Sequence, residues 1–461
     1  MKNLVFGPTF DEMLHPDRVR KDVREKALRA AKEDPLDPVN LFNITWRNPQ
    51  GRICHTVLPR QFTGIDANVV VLYSRDFPTG SHKVGATYSV AIEHQLAGEI
   101  QPGVHTLVWP STGNYGIGGA WVGPRMGYDS LVVLPELMSQ ERFDKIGSYG
   151  ARYVRTPGCE SNVKEIYDKT KELRADPKVR VLNQFEEFGN YRFHYHVTGN
   201  SCIEVARELA AKGVGNGRIA AFASAMGSAG TIAAGERIKH EFHDARTIAV
   251  EPIQCPTLYW NGYGGHDIQG IGDKHVTWIH NVLETDAVMC VDDVECKKGL
   301  QLVTEEAGWK VMAGRYGVPE DGIRAMSRIM GISGICNVLA CIKTARFYGL
   351  GPGDNLFTIA TDTIDRYHSV MRQLDAACGR MDETEAAVRL VSIFHDARTD
   401  WVLEGTRHAR QCWFNLKYYT WVEQQGKTVQ ELDAQRDPGF WLREQAKVEE
   451  TDRKLKEARG W

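Results

Sequence analysis

Missing from this chain of 461 residues are a Cys-x-x-Cys pair, a long apolar run, a tandem repeat and any large excess of charge. Its ten cysteines are scattered singly, which argues against a zinc ribbon, a thioredoxin-like site or a secreted disulfide framework; reduced, mostly buried thiols are expected. No apolar stretch reaches the roughly 18 residues of a membrane helix. The start, MKNLVFGPTFDEML, has an apolar run of only three residues before its acids, unlike a signal peptide, so a cytoplasmic protein with no membrane partner is expected. A formal net charge of -3 leaves no electrostatic footprint for nucleic acid. The glycine loop at 226–231 is not a Walker loop, because no Gly-Lys-Ser/Thr ends it, and it does not meet Gly-x-Gly-x-x-Gly. His194 and His196 have strand-like spacing, but no cysteine or carboxylate pattern completes a metal site around them; packing or substrate contact is the expectation.

What is present is a succession of short β-branched runs alternating with helical segments. NVVVLYS, HTLVWP, SLVVLP, ARYVRT, VRVLNQF, RIAAFAS and RTIAVEP read as strands of a parallel α/β fold, whose functional loops belong at the strands' C-terminal ends. Residues 1–58 form a polar N-terminal extension with a helix from Pro16 to about Lys32. The catalytic core is placed at 59–375, with a smaller mobile subdomain at about 92–200. From 376 to 461 the strands stop and amphipathic helices take over. The stretch WVLEGTRHARQCWFNLKYYTWV is too rich in Trp, Tyr and Leu to remain solvated, so packing on the core or on a second subunit, as a homodimer or larger, is expected.

One lysine is placed where solubility would not put it. Lys83, in FPTGSHKVGA, sits between a Gly/Pro turn and a small, apolar helical run. A helix N-terminus favours anions, so an ammonium there calls for a neutralising partner or an adjacent anion. An imine to an aldehyde cofactor carrying a phosphate satisfies both demands, and pyridoxal phosphate is such a cofactor. A surface lysine at a helix start is the plain alternative. The cofactor demands a phosphate cradle, and strand–Met226-Gly227-Ser228-Ala229-Gly230-Thr231–helix provides small residues, converging N–H groups and a helix dipole. It also demands a substrate-anion site. Ser111-Thr112-Gly113-Asn114-Tyr115-Gly116 is a second strand-to-glycine-loop-to-helix passage, where Asn114 can donate to the ring oxygen and Thr112 to the substrate carboxylate. A Rossmann-type dehydrogenase and a non-catalytic scaffold are the readings from other classes.

GSHK, STGNYGIGGAW, LPELMSQERFDKIGSYGARYVRTPG, NQFEEFGNYRFHYHVTG, MGSAGT, AVEP, QGIGD, GISG and DTIDRY succeed one another as in a known set. Over about residues 60–375 the chain resembles the cysteine synthase and cystathionine β-synthase family, pyridoxal phosphate enzymes of fold type II related to tryptophan synthase β chains. The resemblance implies two parallel-sheet α/β subdomains with the cofactor between them. It implies that Lys83 forms the internal aldimine, that His82 and Asn114 contact the cofactor, and that Gly227, Ser228, Ala229, Gly230 and Thr231 bind its phosphate. Ser333 would face the pyridine nitrogen; Ser111, Thr112, Gly113, Tyr115, Gln184 and Gly270 would surround a small amino-acid substrate.

A neutral hydroxyl opposite the ring nitrogen suits β-elimination and β-replacement better than transamination. Lys83, once released by an incoming amino acid, can take the α-proton, and loss of a β-group then gives an aminoacrylate. The fate of that aminoacrylate turns on where the chain departs from the family pattern. Cysteine synthases usually read Thr-Ser-Gly-Asn-Thr-Gly at the substrate loop, whereas a phenol, Tyr115, stands here in place of a small hydroxyl. Tyr115 would change the volume beside the β-carbon and serve as an acid toward a leaving group. The expectation is therefore a lyase giving a 2-oxo acid and ammonia, with cysteine synthase-like β-replacement as the alternative.

Overall fold

The computed structural model describes residues 4–111, 113–159 and 161–461. Among the described residues, eleven strands form two sheets. The larger runs β1 (His55–Val57), β2 (Asn68–Tyr73), β10 (Asn355–Ala360), β7 (Ala221–Ala225), β8 (Arg246–Pro252), β9 (Ala287–Val291), β11 (Val402–Glu404). The smaller runs β5 (Arg152–Thr156), β4 (Asp129–Pro135), β3 (Thr106–Pro110), β6 (Val179–Val181). Pairing is parallel except at the two edges of the larger sheet, where β1 lies antiparallel to β2 and β11 antiparallel to β9. Both edge strands are three residues long, which leaves little unpaired backbone for another chain to join.

Parallel sheets are covered on both faces, so their inner strands are apolar throughout rather than alternating. β9 (AVMCV) and β10 (NLFTIA), two strands outside the runs singled out in the sequence, are buried at every position. The helix Lys83–Leu96 is buried continuously from Lys83 to Ile92. A Cβ at Gly85 would collide with the Phe193 ring, so glycine there lets the neighbouring helix Phe188–Phe193 approach. The fold is the two-sheet α/β arrangement of fold type II that the family resemblance implies.

Four local expectations are corrected. The run VRVLNQF pairs only over Val179–Val181; Leu182 bonds onward to Val108, and Asn183 turns back on its own chain by accepting from Phe185 N–H. The N-terminal helix begins as one tight turn, Pro16–Arg18, and restarts at Lys21–Glu33. Strands do not stop before 376, because β11 adds to the large sheet. His194 and His196 lie on a π-helical turn, His194–Gly199, inserted between two α-helices, and not on a strand.

The two ends of the chain meet. The Asp452 carboxylate, on the helix Pro438–Arg459, accepts from the N–H groups of Phe10 (2.7 Å) and Asp11 (3.1 Å), and Trp461 stacks on Phe42. The same C-terminal helix reaches the lysine helix through a shared ion pair: Arg192 bonds Glu93 and, at 2.8 Å, Glu444. All ten cysteines are free, and seven of them are buried. Among the described residues no helix is long and apolar enough to cross a membrane.

Candidate active site

Because the inner strands of each sheet are parallel, their C-terminal ends deliver loops to one side. β2, β7, β8 and β10 contribute the Lys83 turn, the 226–231 loop, the 253–285 passage and Thr361–Arg366; β3 and β6 contribute Ser111–Asn114 and Leu182–Gln184. Of these, the 226–231 loop meets Lys83 directly, through Ser228.

Lys83 is the first residue of its helix, almost fully buried, and its Nζ donates to Ser228 Oγ at 2.9 Å. Burial pulls its ammonium pKa down to about 8, against the pull of the Asp273 carboxylate. A lysine in that condition is available as a neutral amine near physiological pH. The preceding turn needs Gly80, at φ 70°, to reverse the chain after Phe77.

The 227–231 loop is built for close approach. Ala229 holds φ 60°, a left-handed conformation that a residue with a side chain adopts at a cost, and such strain concentrates at binding sites. A Cβ at Gly230 would collide with the Asn190 side chain, and one at Gly227 would stand 2.9 Å from the Gly270 carbonyl. Asn190 Nδ2 also donates to Ser228 Oγ at 2.9 Å, so this hydroxyl is shared with the lysine. Thr231 Oγ1 lies 3.2 Å from His82 Nε2. His82 stacks on Trp46 and meets His194 edge-on at 4.9 Å between ring centres. Burial, reinforced by each other's proximity or that of Lys83, holds both imidazoles neutral, well below the usual range.

Ser333 is the second residue of the helix Ile332–Tyr348, and its buried Oγ has no hydrogen-bond partner among the described residues. A buried hydroxyl left unpaired is uncommon and marks a place for an acceptor. An orphaned hydroxyl at a helix start, a glycine cradle with a strained Ala229 and a buried, deprotonable lysine fit pyridoxal phosphate. Lys83 would hold its aldehyde carbon, the 227–231 loop its phosphate and Ser333 its ring nitrogen.

Other expected residues land in the same region in altered roles. Ser111 Oγ accepts from Gly113 N–H (2.8 Å) and Gly116 N–H (2.7 Å), so it braces the loop from within. Thr112 lies outside the described residues. Gly113 packs beneath the Arg142 guanidinium, where a Cβ would collide. Gln184 Nε2 reaches the Pro110 carbonyl at 3.4 Å, and Gly270, at φ 105°, lies against Asn114. Asn114 occupies the start of its helix, but its amide is engaged: Nδ2 donates to Asp362 (2.7 Å), and Oδ1 accepts from Arg366 (2.5 Å) and Arg142 (3.3 Å).

Tyr115 is a correction. Its ring packs edge-on against Trp109 in the core, its hydroxyl reaches the Leu182 carbonyl at 3.3 Å, and burial holds its proton far above the usual range. That side chain braces two loops, and its hydroxyl is taken by a backbone carbonyl instead of standing free as an acid toward a leaving group.

The buried group formed by Arg142, Asp362, Arg366 and Tyr367 has no role that the motifs alone assign. Arg142 Nη2 and Asp362 Oδ2 both bond the Tyr367 hydroxyl, at 2.9 and 2.8 Å, and Arg366 donates to the Thr79 carbonyl at 2.6 Å. These side chains tie the Asn114 loop of one sheet to β10 of the other. The signal was present, since LPELMSQERF and DTIDRY carry charges inside otherwise apolar motifs.

Residues 59–314 match the family model described as "Pyridoxal-phosphate dependent enzyme". A cysteine synthase of Staphylococcus aureus is 32% identical over 304 residues, covering 66% of this chain and 88% of its own length. Among solved structures, the cysteine synthase of Entamoeba histolytica aligns with a TM-score of 0.60 at 22% identity, covering 74% of this chain and 92% of its own. A hydrogen sulfide-producing enzyme of Fusobacterium nucleatum aligns with a TM-score of 0.58 at 22% identity, over 76% and 95%. On the geometry around Lys83 and these matches, the chain belongs to the pyridoxal phosphate-dependent enzyme family, alongside the cysteine synthases.

Proposed function

We propose that the protein is a lyase catalysing β-elimination on a small polar α-amino acid, with a 2-oxo acid and ammonia as products. The observation that carries this reading is the buried Lys83, lowered to about 8 and set beside the glycine cradle. Bound pyridoxal phosphate supplies the electron sink for carbanion chemistry at Cα. Lys83 then removes and holds the proton of Cα. Ser333 offers a neutral hydroxyl where transaminating enzymes need a carboxylate, which restrains the cofactor's acidity and keeps the chemistry at the β-carbon. The N-terminus of the helix Asn114–Arg125 provides N–H groups and a positive dipole end for the substrate carboxylate. The buried Arg142–Asp362–Asn114 group holds that helix start in register with β10.

A second reading, β-replacement with sulfide or another nucleophile, is favoured by the names of the relatives, which are cysteine synthases. One screen separates the two. The enzyme is incubated with serine, O-acylated serines, cysteine, threonine and β-amino or β-sulfonated alanines, and oxo acid and ammonia are assayed with and without added thiols. Oxo acid without a nucleophile supports the lyase. New amino acid only with a nucleophile, and no oxo acid without it, overturns the lyase in favour of the synthase.

The reading places the enzyme in the cytoplasm as a homodimer or larger assembly. Support for association comes from exposed aromatics, Trp260, Tyr263 and Tyr419, which a lone subunit would leave to water.

A further inference from the structure

Asp273 ends the QGIGD segment, and neither the cofactor nor the substrate contacts assigned to the site use it. It is only 5% exposed, and neither carboxylate oxygen has a hydrogen-bond partner among the described residues. A buried carboxylate without partners is costly, so a fold that keeps one needs it for something the remaining contacts do not supply. Its segment is fastened to the cofactor loop: Gly272 N–H donates to the Met226 carbonyl at 2.5 Å, and the Asp273 carbonyl accepts from Thr257 Oγ1 at 2.8 Å. A cavity of ≈ 10 Å³, about the room for one water, is lined by Asp273 together with Gly227, Glu251, His275 and His280.

The charges around Asp273 leave it one partner. Lys83 is the one charge among them that favours ionising the carboxylate, and the carboxylate is the one charge that raises Lys83. From the end of β8 come Glu251, pushed up to about 8 by burial, and Cys255, whose burial also raises it. Tyr167 stays protonated; His275 and His280, lowered to about 3 by burial, and His266, also lowered, stay neutral. Burial pushes Asp273 itself up to about 7, so near neutral pH it carries a transferable proton.

We propose that Asp273 is a second catalytic residue, the acid that protonates the departing β-substituent, and that the substrates are therefore amino acids with basic leaving groups, such as β-hydroxy and β-thiol compounds. This rests on the elimination reading of the site. The Cα–H bond breaks with its proton passing to Lys83, and its electron pair becomes the second bond between Cα and Cβ. The Cβ–X bond breaks with its pair on X, and the Asp273 proton joins X, so that HX leaves. Proton exchange between the Lys83 ammonium and the Asp273 carboxylate restores both groups. Hydroxide or thiolate needs such an acid; chloride does not.

The test compares Asp273→Asn with wild-type holoenzyme on serine, cysteine and β-chloroalanine. Turnover of serine and cysteine should fall by about 100-fold or more, while β-chloroalanine turnover and exchange of the α-proton in D₂O stay within a few-fold. In the wild type, serine and cysteine rates should fall as pH rises through about 7, and the β-chloroalanine rate should not show that fall. In cofactor-free protein, ¹³C NMR of labelled aspartates should show one carboxyl titrating near about 7 that Asp273→Asn removes. Equal losses on all three substrates, or of α-proton exchange, would show that Asp273 only positions Lys83, and would overturn the proposal. Should the variant not fold, a wild-type pH profile shared by β-chloroalanine overturns it without the variant. A wild type that exchanges the α-proton yet eliminates from none of the three would instead sink the elimination reading, and this proposal with it.

Discussion

Lys83 and Ser228, 145 positions apart in sequence, meet through a 2.9 Å hydrogen bond at the mouth of the glycine cradle. The amine that must form an imine is thus parked on the loop that would hold the cofactor's phosphate. Asn190 donates to the same hydroxyl, so the loop keeps a partner when the lysine leaves it.

Lys83→Ala should abolish turnover yet keep part of the cofactor affinity, because the 227–231 loop and its helix N-terminus bind phosphate without the imine. Equilibrium dialysis with pyridoxal phosphate, alongside an assay for oxo acid, reads both. Full activity in this variant would remove Lys83 from the chemistry.

Ser333→Asp should place a carboxylate where the unpaired hydroxyl now sits and favour a protonated ring nitrogen. The expected result is slower β-chemistry with more transamination, measured as pyridoxamine phosphate formed per oxo acid released. An unchanged ratio means that Ser333 does not face the ring.

Much of this site was legible in the sequence because its parts are local. A strand, a glycine loop and a helix start are contiguous, so Lys83 and Gly227–Thr231 could be proposed one motif at a time, and Ser333 from the family resemblance. What escaped depends on contacts between distant segments. Nothing adjacent to Asn114 shows that Asp362 and Arg366 will occupy its amide, and nothing beside Tyr115 shows that Leu182 will take its hydroxyl. The i, i+2 spacing of His194 and His196 suits a strand, yet the flanking helices impose a π-helical turn on it. Asp273 lies inside the QGIGD motif, but its isolation from hydrogen-bond donors is a property of the packed interior.

His94, near the end of the lysine helix, yields a pH prediction. Burial alone would lower its pKa, but Glu187 and Glu99, bonded to its two ring nitrogens, outweigh burial and raise it to about 9. A raised histidine stabilises the fold fully below its unfolded value near about 6.5, and that contribution is lost as pH rises through about 9. The thermal midpoint of the wild type should therefore decline relative to His94→Gln between those pH values. Parallel midpoint curves would show that the triad does not stabilise the charged imidazole.

Arg459 provides the test of the contact between the chain ends. Its guanidinium grips Glu12 through two bonds of 2.7 and 2.8 Å, donates to the Gly7 carbonyl at 3.0 Å and lies over the Trp461 ring. Both partners are nearly inaccessible, with side chains 3% and 4% exposed. Breaking such a pair leaves an uncompensated buried charge, so Arg459→Ala should cost about 3–5 kcal/mol. Removing both charges should cost less, because neither ion is then left buried without its partner. The double variant Glu12→Gln/Arg459→Met is therefore expected to unfold at a higher urea concentration than Arg459→Ala alone. A single variant within about 1 kcal/mol of wild type would show that the pair does not hold the termini together, leaving that to the Asp452 contacts with Phe10 and Asp11.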